Sequence, residues 1–427
     1  MLGIGHWTLG TRTLTKRLIT RLRFHTGMTF YTDAIGGLAA LVEKDHDTVH
    51  RVLCEAFLAD MAECYQRGSR NCLVLLDNVD DSGRAFLTAL AAAKTSRPSQ
   101  DDPVLAVVAS GQLDPLRPLL RASELRPDST ASHADWLATR TSWLYPVRLT
   151  DLARHDVAEV AGEWAGFVHS VTGGHPWGVQ HVVAALAGLR GRTERDLRGA
   201  LDAHVPTYDP VLGDVAIEAL LPDNLRVLRP GQLAMAAAAL EVGEGRAALT
   251  NHGWLLPDRP TMHPWLRRLL LRRVPNWAEV FTTLRAGAHD PVAAAHYDVA
   301  LGVFTDAVTL LRARLDVVDD DQWIAEFDTI TSAPRPHVPS AAAAHEMDAV
   351  AAHEHLCSKQ LAAFDVPLDE QGVTILALAT ARWLWSDPLC DPLLTLNPLL
   401  GNGFRELARG RQRLCDEADF YERGGRP

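Results

Sequence analysis

The stretch that decides the fold of this chain is Asn71-Cys-Leu-Val-Leu-Leu-Asp-Asn-Val-Asp-Asp81. Four apolar residues, Leu73 to Leu76, are followed at once by acidic and amide side chains. This pattern is typical of a buried parallel strand that ends at the carboxyl edge of a sheet. In nucleotide-binding folds that edge holds phosphates and Mg²⁺, because strand ends and helix N-termini converge there. The stretch therefore predicts an α/β nucleotide-binding module with Asp77 at its centre.

A second apolar strand is predicted from Val104 to Ala109, and it ends at Ser110. A helix from Gly83 to Lys94 separates the two strands, and a longer helix from Asp47 to Tyr65 precedes the first one. Two strands joined by one helix form a βαβ unit, which requires a parallel sheet with a right-handed crossover. Residues 143–149 could supply one more strand.

Beyond residue 150 the pattern is mostly helical. A helix over 157–168 is followed by Thr172-Gly173-Gly174, and Pro176 opens the next helix, since glycine is favoured just past a helix end and proline at the first helical position. Helices predicted at 211–221, 232–240 and 246–252, a hairpin over 254–263 and a helix from Pro264 give the outline of a winged helix. Short amphipathic segments after residue 275, including 404–422 as one helix, suggest antiparallel helical pairs in the style of tetratricopeptide repeats.

Composition limits the classes of protein to which the chain can belong. With 427 residues it should hold several domains, and its net charge of −11 argues against a nucleic-acid binder that uses its whole surface. The six cysteines form no CxxC pair, which disfavours a disulfide framework or a structural zinc site. The cysteine pattern therefore favours a reducing cytoplasm. No run of about 18 apolar residues occurs, so we expect no membrane-spanning segment and no membrane partner.

The order of these features resembles the signal-transducing NTPases of the STAND branch, which are relatives of AAA+ ATPases. The stretch from Leu75 to Asp80 is similar to the family's Walker B motif, in which an aspartate holds the Mg²⁺ shell. Asp77 matches that aspartate, and Asp80 belongs to the same nucleotide site by this resemblance. The next position, often credited with activating the attacking water, is Asn78. An amide cannot accept a proton, so the resemblance implies weak or lost hydrolysis.

Three further segments resemble nucleotide-contacting parts of the same family. The strand that ends at Ser110 is similar to the sensor 1 strand, and Gln112 stands where relatives often present an arginine. Gly174-His175-Pro176 is similar to the Gly-x-Pro motif of the small helical subdomain, whose proline packs beside adenine. His263 matches the winged-helix histidine that can read the β-phosphate in the resting state. Taken alone, however, a histidine in the position of His175 is more often a capping or packing residue than a ligand.

One motif of the family is absent. No G-x-x-x-x-G-K-[ST] stretch occurs, and in the degenerate echo from Gly5 to Arg12 neither the lysine nor the Mg²⁺-binding hydroxyl is in place. We expect that the phosphate loop is missing, through upstream truncation or genuine loss.

The expected architecture is an incomplete P-loop NTPase-like α/β module at 1–150, a helical lid at 151–204, a winged helix at 205–275 and a helical, repeat-like region at 276–427. The expected function is nucleotide-dependent signalling with ATP or ADP and Mg²⁺, and with another protein bound by the C-terminal helices. Two alternatives stay open. One is a non-enzymatic interaction scaffold. The other is a DNA-binding regulator that uses the winged helix, with the row Arg267, Arg268, Arg272 and Arg273 on the phosphates, although a solvated helix face also explains that row.

Overall fold

The structure is a computed structural model, and it is mainly helical with a small parallel sheet. The chain divides into two compact units, residues 1–150 with 251–253 and residues 151–250 with 254–427. The residues that the structure describes are 46–68, 71–77, 79, 81–96, 104–110, 126–127, 130–139, 144–188, 193–202, 204–206, 214–216, 228–243, 245–251, 253–256, 259–273, 276–335 and 347–425.

The first unit contains the predicted βαβ unit. Helix α1 (His46–Gly68) leads into strand β1 (Cys72–Leu76), and helix α2 (Asp81–Ser96) leads into strand β2 (Val104–Val108). The two strands pair in parallel over their full length, from Cys72 opposite Val104 to Leu76 opposite Val108. The predicted strand positions and the parallel pairing are therefore confirmed.

Only one face of this sheet is covered by the described helices. A small core forms between α1, α2 and β2 from Cys54, Leu58, Leu90, Ala93 and Val104. Since side chains alternate along a strand, the residues between the core positions point to the opposite face. These residues are largely exposed, and their exposed fractions are 57% for Leu73, 68% for Leu75, 61% for Leu105 and 49% for Val107. The expectation of a fully buried strand is thus wrong, and β1 is buried on one side only.

The rest of the first unit is less regular. Strand β3 (Arg126–Pro127) pairs in parallel with strand β4 (Val147–Arg148), and helix α3 (Thr130–Thr139) lies between them in the chain. The strand suggested at 143–149 is therefore only two residues long.

The second unit begins with a group of short helices. They are α4 (Arg154–Ala161), a 3₁₀ turn (Gly162–Trp164), α5 (Ala165–Thr172), α6 (Pro176–Gly188) and α7 (Glu194–Arg198). The single helix predicted over 157–168 is thus interrupted, because Gly162 has a positive φ of 56° and ends α4. Buried valines and leucines from these helices form their own core, among them Val157, Val168, Val179 and Leu197.

The next segment only partly follows the winged-helix outline. Strands β5 (His204–Pro206) and β6 (Asp214–Ala216) pair antiparallel, so the helix predicted over 211–221 is wrong at residues 214–216, and the rest of that range lies outside the described residues. Helices α8 (Pro230–Ala238), α9 (Arg246–Asn251) and α10 (Pro264–Arg273) follow, with an antiparallel bridge between Leu255 and Met262 at the predicted hairpin. The winged helix as a domain stays a prediction.

Eight helices follow in the described residues after 275, in line with the helical character predicted for this region. They are α11 (Trp277–Gly287), α12 (Pro291–Ala300), α13 (Thr305–Arg314), α14 (Asp320–Thr331), α15 (Ala349–Leu361), α16 (Glu370–Ser386), α17 (Asn397–Ala408) and α18 (Gln412–Glu422). The one helix predicted over 404–422 is two helices, because Arg409 and Gly410 both have positive φ and end α17.

Helix α10 belongs to two cores at once. Its residues Trp265 and Leu269 are buried with the α4–α7 core, while Leu266 and Leu270 are buried in the larger core of α8 and α11–α18. Each pair is spaced i, i+4, so the two pairs form adjacent apolar stripes on one short helix. Among the described residues, none of the helices combines the length and apolarity that crossing a bilayer requires.

Candidate functional site

The predicted site residues fall into three groups. Asp77 and Ser110 lie in the first unit, whereas Gly174, His175, Pro176 and His263 lie in the second. The remaining three, Asn78, Asp80 and Gln112, lie outside the described residues.

In the first unit, the carboxyl ends of β1 and β2 are joined by hydrogen bonds. Ala109 N–H donates to the Leu76 carbonyl at 2.8 Å, and Val79 N–H donates to the Ala109 carbonyl at 3.0 Å. The Ser110 hydroxyl donates to the Val79 carbonyl at 2.9 Å, so it holds the segment that follows β1. Asp77 lies at this edge and is exposed. Across the described residues, no group of three or more His, Cys, Asp or Glu side chains is placed to hold a metal ion.

In the second unit, a two-glycine turn between α5 and α6 fixes the position of the segment before α4. Gly173 and Gly174 have φ of 62° and 79°, and Leu152 N–H donates to the Gly174 carbonyl at 2.8 Å. A Cβ at Gly174 would lie 2.2 Å from the Leu152 carbonyl oxygen, so only glycine fits there. The turn therefore places Asp151, the neighbour of Leu152, beside the start of α6.

His175 caps helix α6, and His263 caps helix α10 in the same way. The Nδ1 atom of His175 accepts the backbone N–H of Gly178 at 3.4 Å, and Pro176 is the first helical residue. The Nδ1 atom of His263 accepts the backbone N–H of Trp265 at 3.2 Å, and α10 also begins with a proline. A side chain that accepts such an N–H satisfies one of the unpaired donors at a helix start. The capping role considered for His175 is thus present.

The two helix starts have the same sequence, His-Pro-Trp, at 175–177 and 263–265. They pack against each other, since the rings of His175 and His263 lie 5.4 Å apart at 70° and those of Trp177 and Trp265 lie 6.0 Å apart at 73°. The close approach depends on Gly178, where a Cβ would lie 2.9 Å from the Trp265 ring. We call the arrangement of 175–177, 263–265 and Asp151 the paired His-Pro-Trp site.

The charges at this site are arranged around one carboxylate. His263, only 3% exposed, has its Nε2 atom 3.1 Å from Asp151 Oδ2. Because its Nδ1 accepts from Trp265, Nε2 carries the proton and donates to the carboxylate. Burial, followed by the neighbouring His263, lowers the pKa of His175 to about 4, against the opposing effect of Asp151. Burial and then Arg154 lower the pKa of His169, which Asp151 and a backbone hydrogen bond with Leu152 partly oppose.

The ring of His175 is further held by an aromatic neighbour. It stacks on Trp254 with a centroid distance of 5.2 Å and an interplanar angle of 13°. Trp254 in turn connects to the start of α10, because His263 N–H donates to its carbonyl at 2.8 Å. The site therefore offers two helix N-termini, a buried N–H donor on His263 and flat aromatic surfaces. These groups suit the binding of an anion next to an aromatic ring.

Four residues in or next to the paired His-Pro-Trp site were predicted from the sequence, and others were missed. Gly174, His175, Pro176 and His263 were each predicted, and the structure brings His175 and His263 together. Asp151 and Trp254 were missed, since a single aspartate or tryptophan has no distinguishing pattern. The repetition of His-Pro-Trp is a signal in the sequence that would have pointed to the pairing of the two tryptophans.

The arginine row on α10 is largely engaged within the chain. Arg267 donates to the backbone carbonyls of Ala237 at 2.7 Å and Ala238 at 3.4 Å. Arg268 reaches the Val171 carbonyl and lies 3.8 Å from Asp387, and Arg272 pairs with Asp202. These three side chains are therefore not the solvated helix face suggested by their pattern.

Comparison of the chain with known proteins found no matching family model, no matching curated protein and no matching solved structure.

Proposed function

We propose that this chain is a STAND-type regulatory protein in which ATP or ADP, with Mg²⁺, controls the contact between the α4–α7 helices and helix α10. The proposal is supported chiefly by the paired His-Pro-Trp site. Two segments that resemble separate nucleotide-contacting motifs, Gly174-His175-Pro176 and His263, lie together in the second unit with ring centroids 5.4 Å apart.

The chemistry of this site favours a phosphate group. Helix N-termini carry partial positive charge and unpaired N–H groups, and here the starts of α6 and α10 meet. The only carboxylate hydrogen-bonded to His263 in the described structure is Asp151, at 3.1 Å. In this proposal a nucleotide phosphate competes with Asp151 for the His263 Nε2–H. Because Leu152 is tied to the Gly174 carbonyl, displacement of Asp151 would strain or move the segment that leads into α4.

Hydrolysis is proposed to be weak or lost. The residue after Asp77 is Asn78, whose amide cannot serve as a general base for water. At the paired His-Pro-Trp site, both ring nitrogens of His263 are hydrogen-bonded and His175 has a pKa of about 4. A histidine with so low a pKa is neutral at pH 7. However, the Nδ1 atom of His175 already accepts the Gly178 N–H, so this nitrogen does not serve as a base for water. The proposed role of the nucleotide is therefore control of conformation, with the C-terminal helices as the surface for a partner protein.

Isothermal titration of the full chain with ADP and with ATP tests this proposal. We expect sub-millimolar binding, a loss of at least tenfold in affinity for His263→Ala, and a gain for Asp151→Ala, which removes the competing carboxylate. His355→Ala is the matched control, because His355 is an exposed histidine on α15. If neither nucleotide binds the wild-type chain, the proposal fails and an interaction scaffold becomes the better explanation.

A further inference from the structure

A large cavity lies within the second unit, and Pro264 is the one residue of the paired His-Pro-Trp site that lines it. Its volume is about 1360 Å³, and its walls come from α10, the hairpin before it and helices of the C-terminal region. Pockets for small molecules typically measure about 300–1000 Å³. The size of this cavity therefore favours a larger ligand, such as a segment of polypeptide.

Several small side chains are among the residues that line the cavity. Ala325 and Thr329 lie one turn apart on α14, and Ser332 and Ala333 continue the same line just after the helix. Small side chains let another backbone approach closely, and hydroxyl groups can hydrogen-bond to it. The lining is also rich in charge, with eight arginines and six carboxylates.

Most of the carboxylates on the walls are already paired. Arg413 lies 2.6 Å from Asp321, Arg382 lies 3.1 Å from Asp328, and Arg268 lies 3.8 Å from Asp387. Within each pair the two charges offset each other. Glu417 also lies 3.6 Å from Arg413, while Glu241 and Asp290 line the cavity outside these pairs.

Two partly buried arginines on the walls have no carboxylate within ion-pairing distance among the described residues. Arg267 donates only to the backbone carbonyls of Ala237 and Ala238. Arg335 donates to the Cys390 sulfur at 2.7 Å and lies 5.6 Å from the centre of the Trp383 ring. Burial lowers the pKa of Arg267 to about 10, in line with a guanidinium that has no nearby carboxylate, whereas Cys390 and then Asp387 raise the pKa of Arg335. A charge removed from water without a counter-ion is costly, and an anionic ligand would relieve that cost.

We propose that this cavity binds an acidic peptide segment of a partner protein, with carboxylate side chains on Arg267 and Arg335 and the peptide backbone along the small residues of α14. The inference rests on the proposed role of the C-terminal helices as a partner-binding surface, and it does not depend on nucleotide binding. Guanidinium groups suit this task, because they can hold a carboxylate through two parallel hydrogen bonds.

The test uses the full chain and a fluorescein-labelled hexaglutamate peptide, followed by fluorescence anisotropy at low ionic strength, about 50 mM salt. We expect saturable binding that weakens as salt is added, and no binding of a hexalysine peptide. Arg335→Gln should weaken binding roughly tenfold, whereas Arg405→Gln should not. Arg405 is a suitable control, because it is an exposed arginine of α17, paired with Asp419, that does not line the cavity.

A second variant tests the role of charge without removing an arginine, in case Arg335→Gln fails to fold. Ser332→Glu adds a negative charge to the cavity lining, and it should also weaken hexaglutamate binding at least fivefold. The midpoint of thermal unfolding is measured for each variant.

Several results would overturn the inference. The first is that hexaglutamate does not bind. The second is that Arg335→Gln and Arg405→Gln lose the same amount of hexaglutamate affinity. The third is that a single-stranded oligonucleotide displaces hexaglutamate and that its own binding depends equally on Arg335. The last result would make the cavity a general polyanion site. Titration with ADP in parallel separates the two proposals, because loss of peptide binding with intact ADP binding affects this inference alone.

Discussion

His263 donates its Nε2–H to Asp151 at 3.1 Å while its Nδ1 accepts the backbone N–H of Trp265, so both nitrogens of a buried imidazole are committed. The tautomer is therefore fixed, and the bond joins the segment before α4 to the first turn of α10. Any ligand that binds His263 through Nε2–H must first displace Asp151. Substitution of the residues that position Asp151 is therefore the most direct test of this site.

Gly174→Ala should disrupt the site and destabilise the fold. The new Cβ would lie 2.2 Å from the Leu152 carbonyl oxygen, and φ of 79° is itself unfavourable for alanine. We expect a loss of about 3 kcal/mol or more in unfolding free energy, measured by urea denaturation. The matched control is Gly302→Ala, where φ is 78° but nothing lies within 4 Å of the new Cβ. It should cost only about 1–2 kcal/mol, and equal losses in the two variants would contradict the importance of the Leu152 contact.

Gly178→Ala should also destabilise, although alanine favours helices. Replacing a helical glycine by alanine normally gains up to about 1 kcal/mol. Here the Cβ would lie 2.9 Å from the fully buried Trp265 ring, which cannot move freely, and crowding of this kind costs about 1–3 kcal/mol. Gly188→Ala, at the other end of α6 with open space around it, is the control and should be neutral or stabilising. Differential scanning calorimetry of the two variants checks the sign, and a stabilised Gly178→Ala would show that the two helix starts are not tightly packed.

Stability should fall as the pH is lowered from about 6.5 towards 4. The pKa of His175 is lowered to about 4 in the folded chain, below its ordinary value of 6.5, so between these values the unfolded chain binds the extra proton. His263 and Asp151 face His175 across the site, and buried His296, with a pKa lowered to about 3, contributes in the same direction.

His175→Asn tests the share of His175 in this pH dependence. Asparagine keeps an acceptor at the helix start but cannot take up a proton. The variant should lose at most one proton of that dependence, about 1.4 kcal/mol per pH unit. Urea denaturation at pH 7, 6, 5 and 4.5 provides the measurement. A slope unchanged by the substitution would mean that His175 titrates normally in the folded chain.

The full chain should show no Mg²⁺-dependent ATP hydrolysis above the buffer blank, and Asp77→Ala should not change this. The expectation follows from Asn78 in place of an acid and from the absence of a complete phosphate-loop motif in this sequence. A coupled assay for ADP release is sufficient. Robust turnover that Asp77→Ala abolishes would contradict the proposed loss of hydrolysis and would confirm Asp77 as a metal ligand.

Much of the secondary structure could be predicted from the sequence, because the decisive signals are local. The strands around Leu73–Leu76 and Val104–Val108 are short apolar runs with polar ends, and they pair in parallel, as a βαβ unit requires. The start of α6 at Pro176 follows from the glycine turn before it. These features depend on neighbouring residues alone.

The sequence-based predictions failed where the local pattern fits two structures or where contacts between distant residues decide the structure. The segment around Asp214–Ala216 has apolar residues at both helical and alternating spacing, and pairing with His204–Pro206 selects the strand. The break at Arg409 and Gly410 interrupts a pattern that is otherwise continuous in its apolar positions. At the paired His-Pro-Trp site, the role of Asp151 depends on a hydrogen bond from Leu152 to Gly174, which no local pattern shows.

The two apolar stripes of α10 set a practical limit on how this chain can be cut for study. A fragment that ends before Pro264 would lack Trp265 and Leu269, both fully buried in the α4–α7 core. A fragment that begins after Arg273 would instead remove Leu266 and Leu270 from the core of the C-terminal helices. Both fragments would expose large apolar surfaces and should aggregate on expression. A fragment that keeps residues 151–425 together avoids both losses.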